Sequence, residues 1–172
     1  NSVKNEMEVM TNKLIKVSGE EKRVIQLALH MGLNGNHYPM KEIYARVNVP
    51  EIDGNLPEVM KDIQLNTMSA FDYKYENGYV EITLTNKPTQ NNEILWRKQG
   101  EEKVILTYIY DADVTFENLE FTSEQKVTLQ NDKVLASNAK SAVLPEKEID
   151  ATIEVTANDS EKSIYNGKLY SS

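Results

Sequence analysis

The stretch SGEEKRVIQLALHM, from Ser18 to Met31, decides the fold because it satisfies two secondary-structure periods at once. The strand period places alternate apolar residues on one face, namely Ile25, Leu27, Leu29, Met31 and Leu33. The helix period aligns a different apolar stripe, made of Val24, Leu27, Ala28 and Met31. Ser18 and Glu21 then fit a capping box, and Gly32 fits a C-terminal cap. A strand predicts an all-β fold, and a helix predicts an α+β fold with one N-terminal helix.

The segments around this stretch favour the strand. Tyr79–Leu84 alternates apolar and polar residues, and the preceding Asn77-Gly78 is typical of a tight hairpin turn. Lys41–Val49 alternates in the same way and ends at Pro50, which cannot donate a ladder hydrogen bond. Since sequential strands usually neighbour each other in a sheet, we predict an all-β sandwich with Val24–Leu33 as an early core strand.

Further strands are predicted along the rest of the chain. Val104–Tyr110 is apolar on both faces, which indicates a central strand, and we expect Trp96 to pack in the core beside it. Leu56–Ile63 fits either one helical turn, with Pro57 at its first position, or a strand. The remaining strand segments are FTSEQKVTL and KVLAS around a QND bend, DATIEVTA, and SIYNGKLY. We predict a sandwich module over residues 1–112 and further strands over 113–172, which complete this sandwich or form a second small β unit.

Composition excludes several functional classes. The chain has 172 residues, 40% of them hydrophobic, which is enough to bury a core as one domain or two small ones. Its net charge of -8 works against nucleic acids and anionic lipid headgroups as partners. No cysteine is present, so disulfides, thiolate nucleophiles and cysteine-ligated zinc are excluded. No apolar run approaches the roughly 18 residues of a membrane span, and the first residues lack a signal-peptide pattern. We expect no nucleic-acid partner and no membrane contact by this segment.

Few residues are candidates for chemistry. His30 and His37 are the only histidines, and they form no zinc or hydrolase motif with the scattered carboxylates. Asp111, Asp113 and Glu117 offer oxygen ligands for calcium, but they lack the EF-hand spacing and fit ordinary turn positions. Asp53-Gly54-Asn55 fits a turn. We therefore predict no enzyme activity, no catalytic, cofactor-binding or metal-binding residues, and no cofactor.

Three runs together resemble the Ig-like conserved repeat domains of Gram-positive bacterial cell-surface and adhesin proteins. These runs are VIQLALHMGLNGNHYPMKEIYARVNVPE, YKYENGYVEITL and ILWRKQGEEKVILTYIY. The resemblance covers roughly residues 20–112. SEQKVTL resembles the closing strand, and IDATIEVTANDSEKSIYNGKLY resembles the strands that recur between such modules. His30-Met31-Gly32 departs from the pattern, because a threonine and an asparagine usually end the first strand there.

The resemblance implies a secreted, non-enzymatic structural or adhesive module at the extracellular cell surface. Its implied partners are neighbouring repeat modules of the parent protein and a host or cell-surface protein or glycan. One alternative is a pilin-like filament subunit, which the α+β arrangement with an N-terminal helix would suit. Another is a carbohydrate-binding accessory module, with exposed tyrosines as its contact residues. The candidate tyrosines are Tyr38, Tyr44, Tyr73, Tyr75 and Tyr79.

Similar surface modules also form an internal amide crosslink between a lysine and an asparagine beside a buried acid. The chemistry requires an unprotonated lysine and a neutral carboxyl group, which burial favours. Lys13, Lys16, Asn166 and Asp150 are candidates near strand ends. Because no motif selects them, an uncrosslinked domain is favoured.

Overall fold

The computed structural model describes residues 3–33, 38–64, 69–86, 96–97, 102–136, 140–145, 149–150, 155–156, 162–165 and 168–171. These residues form fifteen strands: β1 (Glu6–Val17), β2 (Glu20–Met31), β3 (Tyr38–Asn48), β4 (Glu58–Gln64), β5 (Ser69–Glu76), β6 (Tyr79–Asn86), β7 (Trp96–Arg97), β8 (Glu102–Asp111), β9 (Asn118–Leu129), β10 (Val134–Ala136), β11 (Lys140–Pro145), β12 (Ile149–Asp150), β13 (Val155–Thr156), β14 (Lys162–Tyr165) and β15 (Lys168–Ser171). Within these ranges, no helix has the length and apolar character needed to cross a membrane.

The described strands form two sheets. The first has the order β13-β14-β15-β1-β2-β8-β4, and β12 also pairs with β1. The second has the order β10-β9-β3-β6-β5, with β11 on β9 and β7 on β3. Neighbouring strands are antiparallel except β1 and β15, which are parallel with Val17 opposite Leu169. The prediction of an all-β sandwich with additional C-terminal strands is confirmed.

The main core lies between the two sheets. It is built from the inward-facing residues of β2, β4 and β8 on one side and of β3, β6 and β9 on the other. The rings of Tyr108 and Phe121 meet across this space with their centroids 5.1 Å apart. Apolar side chains on alternate positions of six strands therefore join the sheets, as expected for a sandwich.

The Ser18–Met31 stretch is a hairpin turn followed by β2, so the helical alternative is wrong. Ser18 and Gly19 have φ angles of 52° and 85°, which suit a two-residue turn and not a helix cap. The predicted strand face is buried in the main core, with Ile25, Leu27 and Leu29 at 0% exposure. The helix-like stripe arises because Val24 and Ala28, on the other face of β2, are buried as well.

The outer face of the first sheet carries a second, smaller core. It consists of Ile15, Val24, Ala28, Met60, Ile105 and Ile109. β15 lies beside β1 at one side of this face, and β13 lies beside β4 at the other. The strands β13–β15 therefore run from β1 at one side of the first sheet to β4 at the other.

A short polar chain crosses this second core. The Thr11 hydroxyl donates to Gln26 Oε1 over 2.8 Å, and Gln26 Nε2 donates to the Thr107 hydroxyl over 3.2 Å. All three side chains are buried. The hydrogen bonds offset the cost of burying these groups and link β1, β2 and β8 side by side.

Several local predictions are confirmed. β5 and β6 form the predicted hairpin, and Asn77 and Gly78 have φ angles of 53° and 76°. β8 is central, between β2 and β4. The bend after β9 closes with a hydrogen bond from Leu129 N to Lys133 O. The predicted inward residues of Lys41–Val49 are all buried, namely Ile43, Ala45, Val47 and Val49.

Other segments differ from the alternatives that the sequence left open. Leu56–Ile63 contains strand β4 and no helical turn. The backbone at Trp96 pairs with Pro39 of β3 and not with β8, while the prediction for its side chain lies outside the described residues. Most of DATIEVTA also lies outside them, apart from β12 and β13. Strands beyond residue 112 belong to both sheets, and the division at that residue stays a prediction.

Candidate functional site

The outer face of the second sheet is polar and follows from the alternation of its strands. In β3, β6 and β9 the residues between the core positions point away from the first sheet. The outward residues that matter here are Tyr44, Arg46, Asn48, Tyr79, Glu81, Thr122 and Glu124. The sequence pattern predicted the core residues that alternate with these outward residues. Of the outward residues, it gave only Tyr44 and Tyr79 as candidates for ligand contact.

Arg46 is the centre of this face. Its guanidinium carbon lies 3.5 Å from the centroid of the Tyr79 ring, which is a close cation–π contact. Glu81 of β6 and Glu124 of β9 are its cross-strand neighbours. The guanidinium therefore stacks on the Tyr79 ring, on a strand whose two neighbours each carry a glutamate at the same register.

Tyr44 extends the polar row along β3. Its hydroxyl donates to Glu81 Oε2 over 3.0 Å. Partial burial raises the pKa of Tyr44, and the bond to Glu81 raises it further. The phenol therefore stays protonated and keeps Glu81 in position as an acceptor.

Asn48 closes the gap where β3 and β9 separate. Backbone pairing between β3 and β9 ends at Val47 and Ser123. Beyond this pair, the Asn48 side chain makes the hydrogen bonds to β9 that backbone groups of β3 would otherwise make. Its Nδ2 donates to the carbonyl of Glu120 over 2.9 Å, and its Oδ1 accepts from the backbone N–H of Thr122 over 2.6 Å. The separation leaves a cleft of about 290 Å³. Arg46, Asn48, Tyr79, Thr122 and Glu124 line it.

The chemistry of this cleft is that of recognition. Arg46 supplies donors, Glu124 supplies acceptors, and Thr122 and Asn48 carry both kinds of group. Such a lining suits a neutral, hydroxyl-rich or amide-rich ligand, because its positive and negative charges balance. Among the described residues, no three His, Asp or Glu side chains converge in a way that could hold a metal ion.

The predicted histidine and carboxylate candidates lie apart from this cleft. His30 is partly buried on β2, where burial and then Lys4 and Lys103 lower its pKa, while His37 lies outside the described residues. Asp111 Oδ1 is 3.2 Å from the Lys22 ammonium, so it forms an ion pair. Asp113 and Glu117 are exposed in the loop that follows β8.

The Asp53-Gly54-Asn55 turn is confirmed. Ile52 and Asn55 exchange two backbone hydrogen bonds of 3.0 Å across it. Asp53 and Gly54 have φ angles of 51° and 79°, which is typical of a tight turn between paired residues.

The other predicted side chains are spread over the fold. Lys13 and Lys16 lie on β1, Asp150 lies opposite Thr11, and Asn166 is outside the described residues, so the uncrosslinked domain stays a prediction. The tyrosine candidates divide between two surfaces: Tyr44 and Tyr79 face outward, Tyr73 and Tyr75 face the other sheet, and the Tyr38 side chain is outside the description. The Lys61 ammonium, on buried β4, lies 4.1 Å from the Tyr73 ring centroid.

Comparison with known proteins finds no matching family model and no matching curated relative. Solved structures with a similar arrangement include an uncharacterized protein from Nocardia farcinica with an immunoglobulin-like fold, which has 11% identity, a TM-score of 0.42, and coverage of 82% of this chain and 96% of that one. A collagen-binding domain from a Staphylococcus aureus adhesin has 8% identity, a TM-score of 0.43, and coverage of 81% and 99%. The major pilin subunit of Bacillus cereus has 11% identity, a TM-score of 0.45, and coverage of 83% of this chain and 40% of the pilin.

The Nocardia farcinica protein is described as immunoglobulin-like, and the other two are an adhesin domain and a pilin subunit, in line with the predicted resemblance. Likeness at this level concerns the arrangement of strands. Nothing about a ligand of this chain follows from it.

Proposed function

We propose that this chain is a non-enzymatic, load-bearing module of a bacterial cell-surface protein, with neighbouring modules as its partners. The observation that carries the proposal is the parallel pairing of β1 with β15, at Val17 and Leu169. β1 lies inside the first sheet, between β2 on one side and both β12 and β15 on the other. A strand held on both edges resists removal more than an edge strand does.

The direction of the strands determines how tension acts on them. β15 points the same way as β1 and begins beside the end of β1. A pull on the chain before Glu6 and after Ser171 therefore draws two parallel strands in opposite directions along their axes. β1 and β15 share a single registered pair, so the hydrogen bonds that this pull loads in shear are mainly those of the eleven residue pairs that β1 forms with β2.

The start of β1 is also tied to the opposite sheet. Asn5 Nδ2 donates to the carbonyl of Ser123 on β9 over 2.9 Å. In return, Asn5 Oδ1 accepts from the Ser123 hydroxyl over 2.9 Å and from Gln125 Nε2 over 3.0 Å. All three side chains are buried, so water does not compete for these bonds. Tension on β1 is thereby shared between both sheets.

Single-molecule pulling tests this proposal. The chain has no cysteine, so thiol handles can be placed at chosen positions. Handles added at the two chain ends load β1 in shear. Handles at E6C and H30C, which lie opposite each other, peel β1 from β2 one pair at a time. We expect a markedly higher unfolding force with the terminal handles.

The two handle arrangements act on the same strands and differ only in direction, so each serves as the control for the other. Urea unfolding of both thiol variants checks that their equilibrium stability is equal. Equal forces in the two directions would contradict a load-bearing role. The same geometry would also suit a pilin-like filament subunit, because tension along a filament enters and leaves each subunit at opposite ends.

A second candidate function is carbohydrate recognition by the cleft on the second sheet. The Arg46–Tyr79 stack beside Glu124 and Thr122 provides the planar and hydrogen-bonding groups that such a ligand requires. On a glycan array, we expect the wild-type chain to bind one class of glycan, and we expect R46A and Y79A not to bind it.

K126A is the matched control for this experiment, because Lys126 lies on β9 beside Tyr44, on the same face, and does not line the cleft. It should bind as the wild type does. If the wild type binds no glycan, or if R46A binds as well as the wild type, the carbohydrate candidate is eliminated. The load-bearing role is unaffected by either result.

A further inference from the structure

Strand β5 forms one edge of the second sheet. Among the described strands, only β6 pairs with it. Its eight residues keep a regular register with β6 from Ser69 to Glu76, with no bulge and no proline. Long, regular edge strands are templates for pairing with another chain unless they are blocked. β5 carries no bulge or proline at its edge, and its exposed charges, Asp72, Lys74 and Glu76, are of both signs, so a partner strand of complementary charge can pair with it.

The hairpin turn determines which backbone groups point away from β6. In a two-residue hairpin the residues next to the turn, Glu76 and Tyr79, form the first hydrogen-bonded pair. Hydrogen-bonded pairs then alternate along the ladder. The N–H and C=O groups of Phe71 and Tyr75 consequently point outward from the edge.

We propose that two copies of this chain associate through β5, antiparallel, about a two-fold axis at Tyr73. In this register the outward groups of Phe71 pair with those of Tyr75 in the other copy. Asp72 of each copy then faces Lys74 of the other, on the solvent side of the sheet. Both side chains are exposed and ready for such a contact.

Charge and turn geometry exclude the neighbouring registers. An axis at Asp72 would place the two Asp72 carboxylates opposite each other, and an axis at Lys74 would do the same with two ammonium groups. Like charges directly opposite in a ladder are destabilising. An axis at Tyr75 would draw Asn77 and Gly78 into the ladder, and their φ angles of 53° and 76° are incompatible with a strand.

The contact surface extends beyond the charges. Phe71 is 38% exposed, although it shares the inward parity of the buried residues of β6. Pairing at the edge would place Tyr75 of the second copy beside it. Within one copy, the Lys74 ammonium lies 2.9 Å from a carboxylate oxygen of Glu76 on the same strand. On association, Lys74 would leave this exposed ion pair and contact Asp72 of the other copy.

Sedimentation velocity over a range of concentrations tests the proposal. A single strand pair buries less than the roughly 1,200 Å² of a stable interface, so we expect a dimer with a Kd on the order of 100 μM. In a dimer of D72K, the introduced lysine of each copy faces Lys74 of the other. In a dimer of K74D, the introduced aspartate of each copy faces Asp72 of the other, so both variants bring like charges together at two contacts. Each should weaken self-association by about tenfold or more.

The decisive measurement is a 1:1 mixture of D72K and K74D. In the mixed dimer every lysine faces an aspartate, so association should return to the wild-type level. K126E is the matched control, since it reverses a charge on the solvent face of β9, away from the edge, and it should associate as the wild type does. Circular dichroism confirms that each variant retains its strands.

Two outcomes would overturn the proposal. One is a wild-type chain that stays monomeric at about 1 mM, ten times the expected Kd. The other is a D72K variant that associates as well as the wild type. Neither outcome bears on the pulling experiment, so this proposal and the load-bearing role stand or fall separately.

Discussion

Raising the pH from about 10 to about 12 is expected to lower the free energy of unfolding by about 1.4 kcal/mol per pH unit for each of Tyr108 and Tyr110. Both tyrosines lie in the main core, at 0% and 2% exposure. Burial raises the pKa of both phenols well above the usual value. Their hydroxyls donate to the carbonyls of Asn48 and Pro50, which would repel a phenolate.

The sign of the effect follows from the raised pKa. In the unfolded chain a tyrosine ionises near pH 10, whereas in the native core it keeps its proton. Below about pH 10 the phenol is protonated in both states, so the contribution to stability is complete. Above that pH, only the unfolded state releases its proton, and the equilibrium moves toward unfolding until the native pKa is reached.

Urea unfolding measured at several alkaline pH values tests this expectation, with absorbance at 295 nm reporting tyrosine ionisation. The double variant Y108F/Y110F should show a shallower decline than the wild type. The difference between the two declines gives the contribution of the buried phenols, separate from that of surface lysines that titrate over the same pH range. Y79F is the matched control, because it removes a hydroxyl on the outer face. A decline of the same steepness in the double variant would disprove the assignment.

The second large effect is expected from F121A, which should lower the free energy of unfolding by about 3–5 kcal/mol. Phe121 is at 0% exposure, and its ring packs against Tyr108 of the opposite sheet. Removing the ring leaves a cavity at the contact between the two sheets. Both the lost burial and the lost ring contact contribute to the change.

Urea unfolding at neutral pH measures this loss. F71A is the control, because Phe71 is 38% exposed and its truncation should cost less than about 1 kcal/mol. F121L provides a milder change at the same site, in case F121A does not fold. A loss below about 1 kcal/mol for F121A would mean that the sheets do not depend on this contact.

Local signals predicted much of the fold. Asn77-Gly78 identified the β5–β6 hairpin because few residues adopt two successive positive φ angles. Lys41–Val49 was placed correctly because one of its faces is buried and the other is polar. In β2 both faces are buried, so the pattern was compatible with a helix until the neighbouring strands were considered.

β1 was not predicted, and its register explains why. The pairing with β2 shifts between Val9 and Thr11, so the inward face moves from one parity to the other within a single strand. Met7 and Val9 pack on the main core, whereas Ile15 packs on the second one. A period-two pattern that reverses halfway is difficult to recognise in a sequence.

The sequence patterns did not predict the cleft on the second sheet, for a different reason. Arg46, Asn48 and Glu124 are ordinary polar residues on the solvent side of two strands. They line one site because β3 and β9 separate after Val47 and Ser123, which is a property of the sheet. The outward parity of β3 was the only available signal.

The burial of β2 on both faces has a consequence for how this chain can evolve. From Val24 to Met31, every side chain except His30 is buried. A strand with one wet face accepts changes at every second position, whereas this one accepts few at any position. Sequence drift among related chains should therefore concentrate on solvent-facing positions such as those on the outer face of the second sheet, which makes that surface the one most able to change its chemistry.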